Sequence, residues 1–440
     1  MILAALLVSA ASSAAALVPT ASHAAVLLDG AAASSGFRAL LQTAGTHTGM
    51  LSPDAVGSDL RSAIGVDLLT DTAPWGLAPQ GPRAIVFSSG SVALSAPVKD
   101  AKAARKSLDA WLAEAGPARP TRPAPLKGPA AAGQRAALID HGRLFIGSGP
   151  HATALVSTLA HLNTKASLAR DRPFAAAIAR ATGPAAFFFR GDTLLKGGVL
   201  ALDASASGLV ARGLVLPEGD APLLVGEAPQ ECGAGTLACL RAELGGAGRA
   251  LLAAAVREYL WSALPPAPRD LFDAIAQRAS ATAGKLALSV AGLDADLLGD
   301  GRDSIWALRF SGAAEATATL PERVPNGVAR TATGLSVNRG QRPLCLEVAA
   351  KTIALSSPCA PAPELKGGSD DALNASIDLV AIDRALSKLS PLDALKGPVA
   401  AGAYGAHLIW GALVRNAGPL TLTGRPAGAA AAIELRLPLR

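Results

Sequence analysis

Gly133–Pro150 reads GQRAALIDHGRLFIGSGP, and Gly340–Pro358 reads GQRPLCLEVAAKTIALSSP. Each opens on Gly-Gln-Arg, runs as two short apolar stretches around a turn, and leaves through small residues. Aliphatic runs bounded by Gly, Pro and Ser predict a β-hairpin. One stretch lies in each half of the 440-residue chain. We therefore read the chain as one layout used twice, each copy centred on its hairpin.

Working outward, the order of predicted elements is shared. A hairpin-like pair precedes each centre, at Ile85–Pro97 and Ile305–Leu320. A strand and a short helix follow, at Phe187–Leu195 and Ile377–Leu386. Each half closes on apolar strands, LVARGLVLP from Leu209 and IELRLPL from Ile433. Strands arrive in hairpins rather than in βαβ alternation. That predicts an α+β protein whose related halves each hold a mainly antiparallel sheet with helices packed on one face. The domain reading is a leader at 1–24, a first half at 25–225 and a second half at 226–440, with residues 217–236 as the Pro/Gly connector.

Some elements depart from this symmetry. Asp100 is placed to cap a helix over Ala101–Ala115, with Ala104, Leu108, Trp111, Leu112 and Ala115 on one face. The second half has only the loop Pro321–Gly327 opposite it. Leu237–Ala263 reads as helical with a break at Gly245-Gly246, and Ala406–Val414 reads as a strand.

Hydrophobic residues make up 50% of the chain, but aromatics are only 4%, so the few large side chains must anchor the cores. The formal net charge is +6. The basic residues are scattered and not interleaved with aromatics, which argues against a nucleic-acid partner.

Met1–Val18, MILAALLVSAASSAAALV, has no charged residue. The apolar run Ile2–Val8 followed by small residues predicts a secretory leader, cut after Ala16 or Ala24, although it lacks a positive first segment. An uncleaved membrane anchor is the alternative. The four cysteines, Cys232, Cys239, Cys345 and Cys359, predict disulfides in an exported chain. Of the three connectivities, the two local pairs are favoured. With a turn at Ala349-Ala350, Cys345 would face Leu355, so a bridge to Cys359 requires the chain to fold back at Pro358.

The leader, the step Gly65-Val66-Asp67-Leu68-Leu69, the connector Gly76-Leu77…Gly81-Pro82 and the strands after it resemble large exported bacterial envelope proteins of unknown function with a duplicated α+β layout. The resemblance implies an exported compartment and assigns no functional residue.

Catalytic patterns do not assemble. There is no Gly-x-Ser-x-Gly elbow. Ser95 and Lys99 miss the Ser-x-x-Lys spacing. His141 falls in the first hairpin turn, His151 and His161 do not share a helix face, and no His-Glu-x-x-His exists. Gly233-Ala234-Gly235-Thr236-Leu237-Ala238 matches Gly-x-Gly-x-x-Ala, but a loop with Pro229 and Glu231 precedes it where a dinucleotide site needs a strand. Gly147-Ser148-Gly149-Pro150 reads as an ordinary helix start rather than an anion site. The acidic run Asp294, Asp296, Asp300, Asp303 misses calcium-loop spacing and reads as a polar turn.

The functional expectation is a noncatalytic exported protein that binds or scaffolds in the bacterial envelope, with no catalytic, cofactor-binding or metal residue assigned and no cofactor. Its partner would be an envelope component or a small apolar ligand, with membrane proximity through the N-terminal segment. The competing classes are a secreted hydrolase with an unrecognised active site and a membrane-tethered interaction module.

Overall fold

A computed structural model describes residues 14–45, 52–69, 72–117, 119–120, 129–228, 236–255, 257, 264, 266–282, 284–292, 305–311, 323–339, 342–349, 352–359, 368, 370–387, 404–405, 407–408, 411 and 414–440. The chain divides into two units, Met1–Val215 and Leu216–Pro438, apart from its last two residues. The division falls before the Pro/Gly connector rather than at residue 225. Leu223 and Val225 donate backbone bonds to Ala429 and Glu243, which ties that connector into the second unit.

In the first unit, β1 (Ala24–Asp29) leads into α1 (Gly30–Ala44) and α2 (Pro53–Ile64). The hairpin β2 (Pro82–Ser88) and β3 (Ser91–Pro97) follows, then α3 (Ala101–Ala113) and the short β4 (Arg119–Pro120) and β5 (Ala130–Ala132). Next come the central hairpin β6 (Arg135–Asp140) and β7 (Arg143–Ser148), and the helices α4 (Ala152–Ala160) and α5 (Arg172–Arg180). β8 (Ala185–Arg190), β9 (Leu195–Ser205) and β10 (Gly208–Pro217) close the unit. The sheet is antiparallel, in the order β10-β9-β8-β1-β2-β3-β7-β6-β5-β4. The hairpin expected over Ile85–Pro97 and the turn expected at His141 are present. Ser89-Gly90 and His141-Gly142 each place two successive residues at positive φ, the type I′ geometry that matches strand twist.

α3 starts where the sequence places it. Asp100 Oδ1 accepts the N–H groups of Lys102 and Ala103 at 2.9 and 3.0 Å. Asp100→Ala should cost about 1 kcal/mol of unfolding free energy, read by urea denaturation.

Helices cover both faces of this sheet, not one. Ala93, Leu94, Ser95 and Ala96 of β3 are all fully buried, which a one-sided sheet does not allow. On one face Ile85, Leu94, Leu144 and Ile146 pack with Ile64 of α2 and Leu108, Trp111 and Leu112 of α3. On the other, Phe174 of α5 meets Phe188 of β8 edge-on, ring centroids 4.9 Å apart. α4 lies against β3, β6 and β7 with Leu155, Val156 and Leu159 buried apart from the first cluster.

Residues ahead of β1 are held in this unit as well. Pro19 bridges Ser167, Thr20 N–H donates to Ala166 O at 2.9 Å, and Leu168 N–H donates to Val18 O at 2.8 Å.

In the second unit, β11 (Ala238–Glu243), α6 (Gly246–Ala255) and α7 (Pro266–Thr282) precede β12 (Lys285–Gly292) and β13 (Ile305–Ser311). Then come β14 (Val328–Arg330), β15 (Gly334–Arg339), β16 (Arg342–Ala349) and β17 (Thr352–Ser357). β18 (Leu373–Ile377), α8 (Leu379–Leu386), β19 (Leu420–Ala427) and β20 (Ala430–Pro438) finish it. The antiparallel order is β20-β19-β18-β11-β12-β13-β17-β16-β15-β14. Counted from its own first strand, each unit has the same succession of neighbours.

Two readings of this unit change. Ala238–Glu243 is a strand, not the start of a helix: helix-forming Ala, Arg and Glu yield to pairing with β12 and β18 on both edges. Within Ala406–Val414, expected as a strand, the described residues His407, Leu408, Gly411 and Val414 are helical.

The second sheet is two-faced. Leu240, Leu288, Leu308, Leu355, Leu346 and Leu335 are register partners in one unbroken row, packed with Phe272 and Ile275 of α7. The adjoining row, on the opposite face, is Cys239, Ser289, Ala307, Ser356, Cys345 and Ser336. The links between strands also differ. Residues 149–184 join β7 to β8 and carry α4 and α5, whereas residues 358–372 join β17 to β18. Conversely, residues 191–194 join β8 to β9, whereas residues 378–419 join β18 to β19 and carry α8.

Candidate functional site

A cleft of about 350 Å³ opens between α2 and α3 in the first unit. Ser58 and Arg61 of α2, Trp111 of α3, Arg135 of β6, and Asp67 and Trp75 from the connecting segment line it. The helical spacing that buries Ala104, Leu108 and Leu112 also turns Trp111 inward. Gly65 ends α2 at φ 77°, and a Cβ there would lie 3.1 Å from the Trp111 ring and 2.5 Å from Ile146. Only glycine lets the helix end that close to the indole.

The polar groups of the cleft are organised around these anchors. The Arg135 guanidinium lies over the Trp111 ring, 4.7 Å from its centroid. It also donates to Trp111 O at 2.5 Å and to Glu114 Oε2 at 2.9 Å. The Asp67 carboxylate is buried against Gly57, accepts the Leu69 N–H at 2.9 Å and sits 3.5 Å from Arg61. Ser107 Oγ donates to Pro74 O at 2.6 Å. The Trp111 indole N–H is buried and meets no acceptor among the described residues. The arrangement presents guanidinium, carboxylate and hydroxyl groups over an indole base. Among the described residues no histidine or cysteine lines it. Arg135→Ala should lower stability by about 1–2 kcal/mol through loss of the ring contact and the Glu114 pair, measured by urea denaturation.

A second constellation lies in the second unit. Asp378 Oδ1 caps α8 by accepting the Ala381 N–H at 2.9 Å. Farther along α8, the buried Asp383 has its Oδ1 2.7 Å from His407 Nδ1 and its Oδ2 3.9 Å from Arg415 Nε. Arg415 Nε donates to Gly411 O at 3.2 Å. In the tautomer that donates from Nδ1, the carboxylate orients the ring and leaves Nε2 as the proton acceptor. Among the described residues His407 makes no other hydrogen bond and none of them joins a nucleophile to the pair.

The residues weighed from sequence lie elsewhere. Cys345 and Cys359 form a disulfide with Cα atoms 5.1 Å apart. Cys345 faces Ser356 across the hairpin, and the chain turns at Ser357–Pro358 to bring Cys359 back. Cys239 is also disulfide-bonded; its expected partner, Cys232, lies outside the described residues. Ser95 is buried and accepts from Arg143 Nε at 3.2 Å, while burial lowers the Arg143 pKa. His141 occupies the predicted turn, with a largely exposed ring 3.5 Å from Asp140. His151 and His161 sit at opposite ends of α4. At the start of α4 the His151 N–H already donates to Ser91 Oγ at 2.8 Å. Residues 233–235 and the acidic run 294–303 lie outside the described residues. The described end of the glycine stretch enters strand β11, not the crossover helix of a dinucleotide site.

The cleft was hidden from sequence reasoning because its contacts join residues from separate elements. Its only local signals were Trp111 on the buried face of α3 and Gly65 before Asp67. Among the described residues, no helix is long and apolar enough to cross a membrane. No protein-family model, curated protein or solved structure matches this chain.

Proposed function

We propose that the chain is a noncatalytic exported binding protein of the bacterial envelope, built from two copies of one α+β unit. The cleft between α2 and α3 carries this reading. Its Arg61, Asp67, Arg135 and serine lining suits a small polar ligand better than the small apolar ligand expected where no polar constellation was legible in the sequence. Two buried indoles give it a rigid base.

Duplication is supported by the matching strand orders and by matched backbone bonds at the central strand. His23 N–H donates to Phe87 O, and Leu237 N–H to Val290 O; Arg190 N–H donates to His23 O, and Asp378 N–H to Leu237 O. At the other end, Asp29 N–H donates to Pro184 O and Glu243 N–H to Ala372 O, both at 2.8 Å. Export is supported by the disulfide-bonded Cys345, Cys359 and Cys239, which fit an oxidising compartment.

Native mass spectrometry of the protein recovered from its own host's envelope tests the binding reading. A small polar molecule should be retained by the wild type and lost from an Arg61→Ala, Arg135→Ala double variant. No retained molecule, or equal retention by both proteins, would refute the assignment.

The Asp383–His407 pair favours a second reading, a hydrolase. That reading requires turnover of a chromogenic ester panel to disappear in His407→Ala and Asp383→Asn while both variants stay folded. Turnover that persists in both would end it.

A further inference from the structure

We infer that the leader is removed after Ala16, so that the mature chain begins at Leu17; this rests on the exported reading proposed above. Two small-residue sites were open from sequence, Ala14-Ala15-Ala16 and Ser22-His23-Ala24. The fold separates them. Removal after Ala24 would delete His23, whose N–H donates to Phe87 O at 3.1 Å and whose carbonyl accepts from Arg190 N–H at 2.8 Å. These bonds join the start of β1 to both neighbouring strands. In the second unit Leu237 makes the corresponding pair of bonds ahead of β11.

The same cut would delete everything that ties the preceding segment down. Val18 O accepts from Leu168 N–H, Thr20 N–H donates to Ala166 O, and Pro19 bridges Ser167. The Arg190 guanidinium also donates to Thr20 O. Val18 is fully buried and Ser22 nearly so. Cutting after Ala16 leaves each of these contacts in place. Ala14 and Ala15 are buried too, but their backbone bonds among the described residues run only forward, from Leu17 N–H to Ala14 O and Val18 N–H to Ala15 O. Their methyl side chains contribute little burial. Leader removal acts on the unfolded chain during export, so the final burial of this segment does not shield the bond.

N-terminal sequencing and intact mass of the protein from the host envelope test the inference. A chain beginning at Leu17 is expected. A chain beginning at Ala25 would overturn the inference while leaving the exported reading intact. Full-length chain confined to the cytosol would instead overturn the exported reading, and the inference with it. Ala16→Phe should cause unprocessed chain to accumulate or displace the cut to Ala24; processing identical to the wild type would overturn the inference. As a separate physical check, protein starting at Ala25 should melt roughly 10 °C below protein starting at Leu17, through loss of several backbone bonds and the burial of Val18. Equal melting would show that the strap contributes nothing and would remove the basis for choosing Ala16.

Discussion

Phe174→Ala will destabilise the first unit by about 3–5 kcal/mol. Phe174 and Phe188 are both fully buried, and their edge-on contact joins α5 to β8. α5 spans only 9 residues and buries Phe174, Ala177 and Ile178. A helix that short has little stability of its own and depends on packing. The Arg190 guanidinium lies over the same ring, 5.4 Å from its centroid, so the truncation also removes a cation–π contact. Urea unfolding followed by hydrogen exchange should show the loss, with protection falling first in α5 and β8. Phe174→Leu should recover part of the stability by refilling the cavity. A Phe174→Ala chain that unfolds at the wild-type urea concentration would show that α5 is not anchored through this ring.

Cys345→Ser will destabilise the second unit by about 3 kcal/mol. The bond to Cys359 spans a sequence separation of 14, and closing a loop of that size removes much of the unfolded chain's freedom. The effect should appear as earlier loss of hydrogen-exchange protection in β16 and β17. Cys359→Ser should match it, and the double variant should be no worse than either single one. Additive losses would mean that the serines act through packing rather than through the missing cross-link.

The features legible in the sequence were those encoded by neighbours along the chain. The turns at Ser89-Gly90 and His141-Gly142 need residues that tolerate positive φ, and they stand beside alternating apolar runs. Asp100 declares the start of α3 through its own side chain. The α+β class followed from strands arriving in hairpins. What could not be read was decided by partners far away. Ala238–Glu243 contains good helix formers, yet two flanking strands make it extended. Both faces of β3 are covered because α4 returns to the sheet on the side opposite α2 and α3, and periodicity carries no record of which face it chooses. Arg135 looked like one of many scattered basic residues until folding brought it over Trp111 and beside Glu114. Asp383 and His407 are separated by a long link, so their pairing leaves no spacing to recognise.

In the first unit the earliest strand occupies the middle of the sheet, and one of its edges is completed only by β8. At ~5–20 residues per second, roughly 10–30 s pass between synthesis of the two. Until then that edge has no native mate, and long-range pairing of this kind is intrinsically slow. A nascent polypeptide with this wiring holds one side of its central strand unpaired until most of the unit has been made.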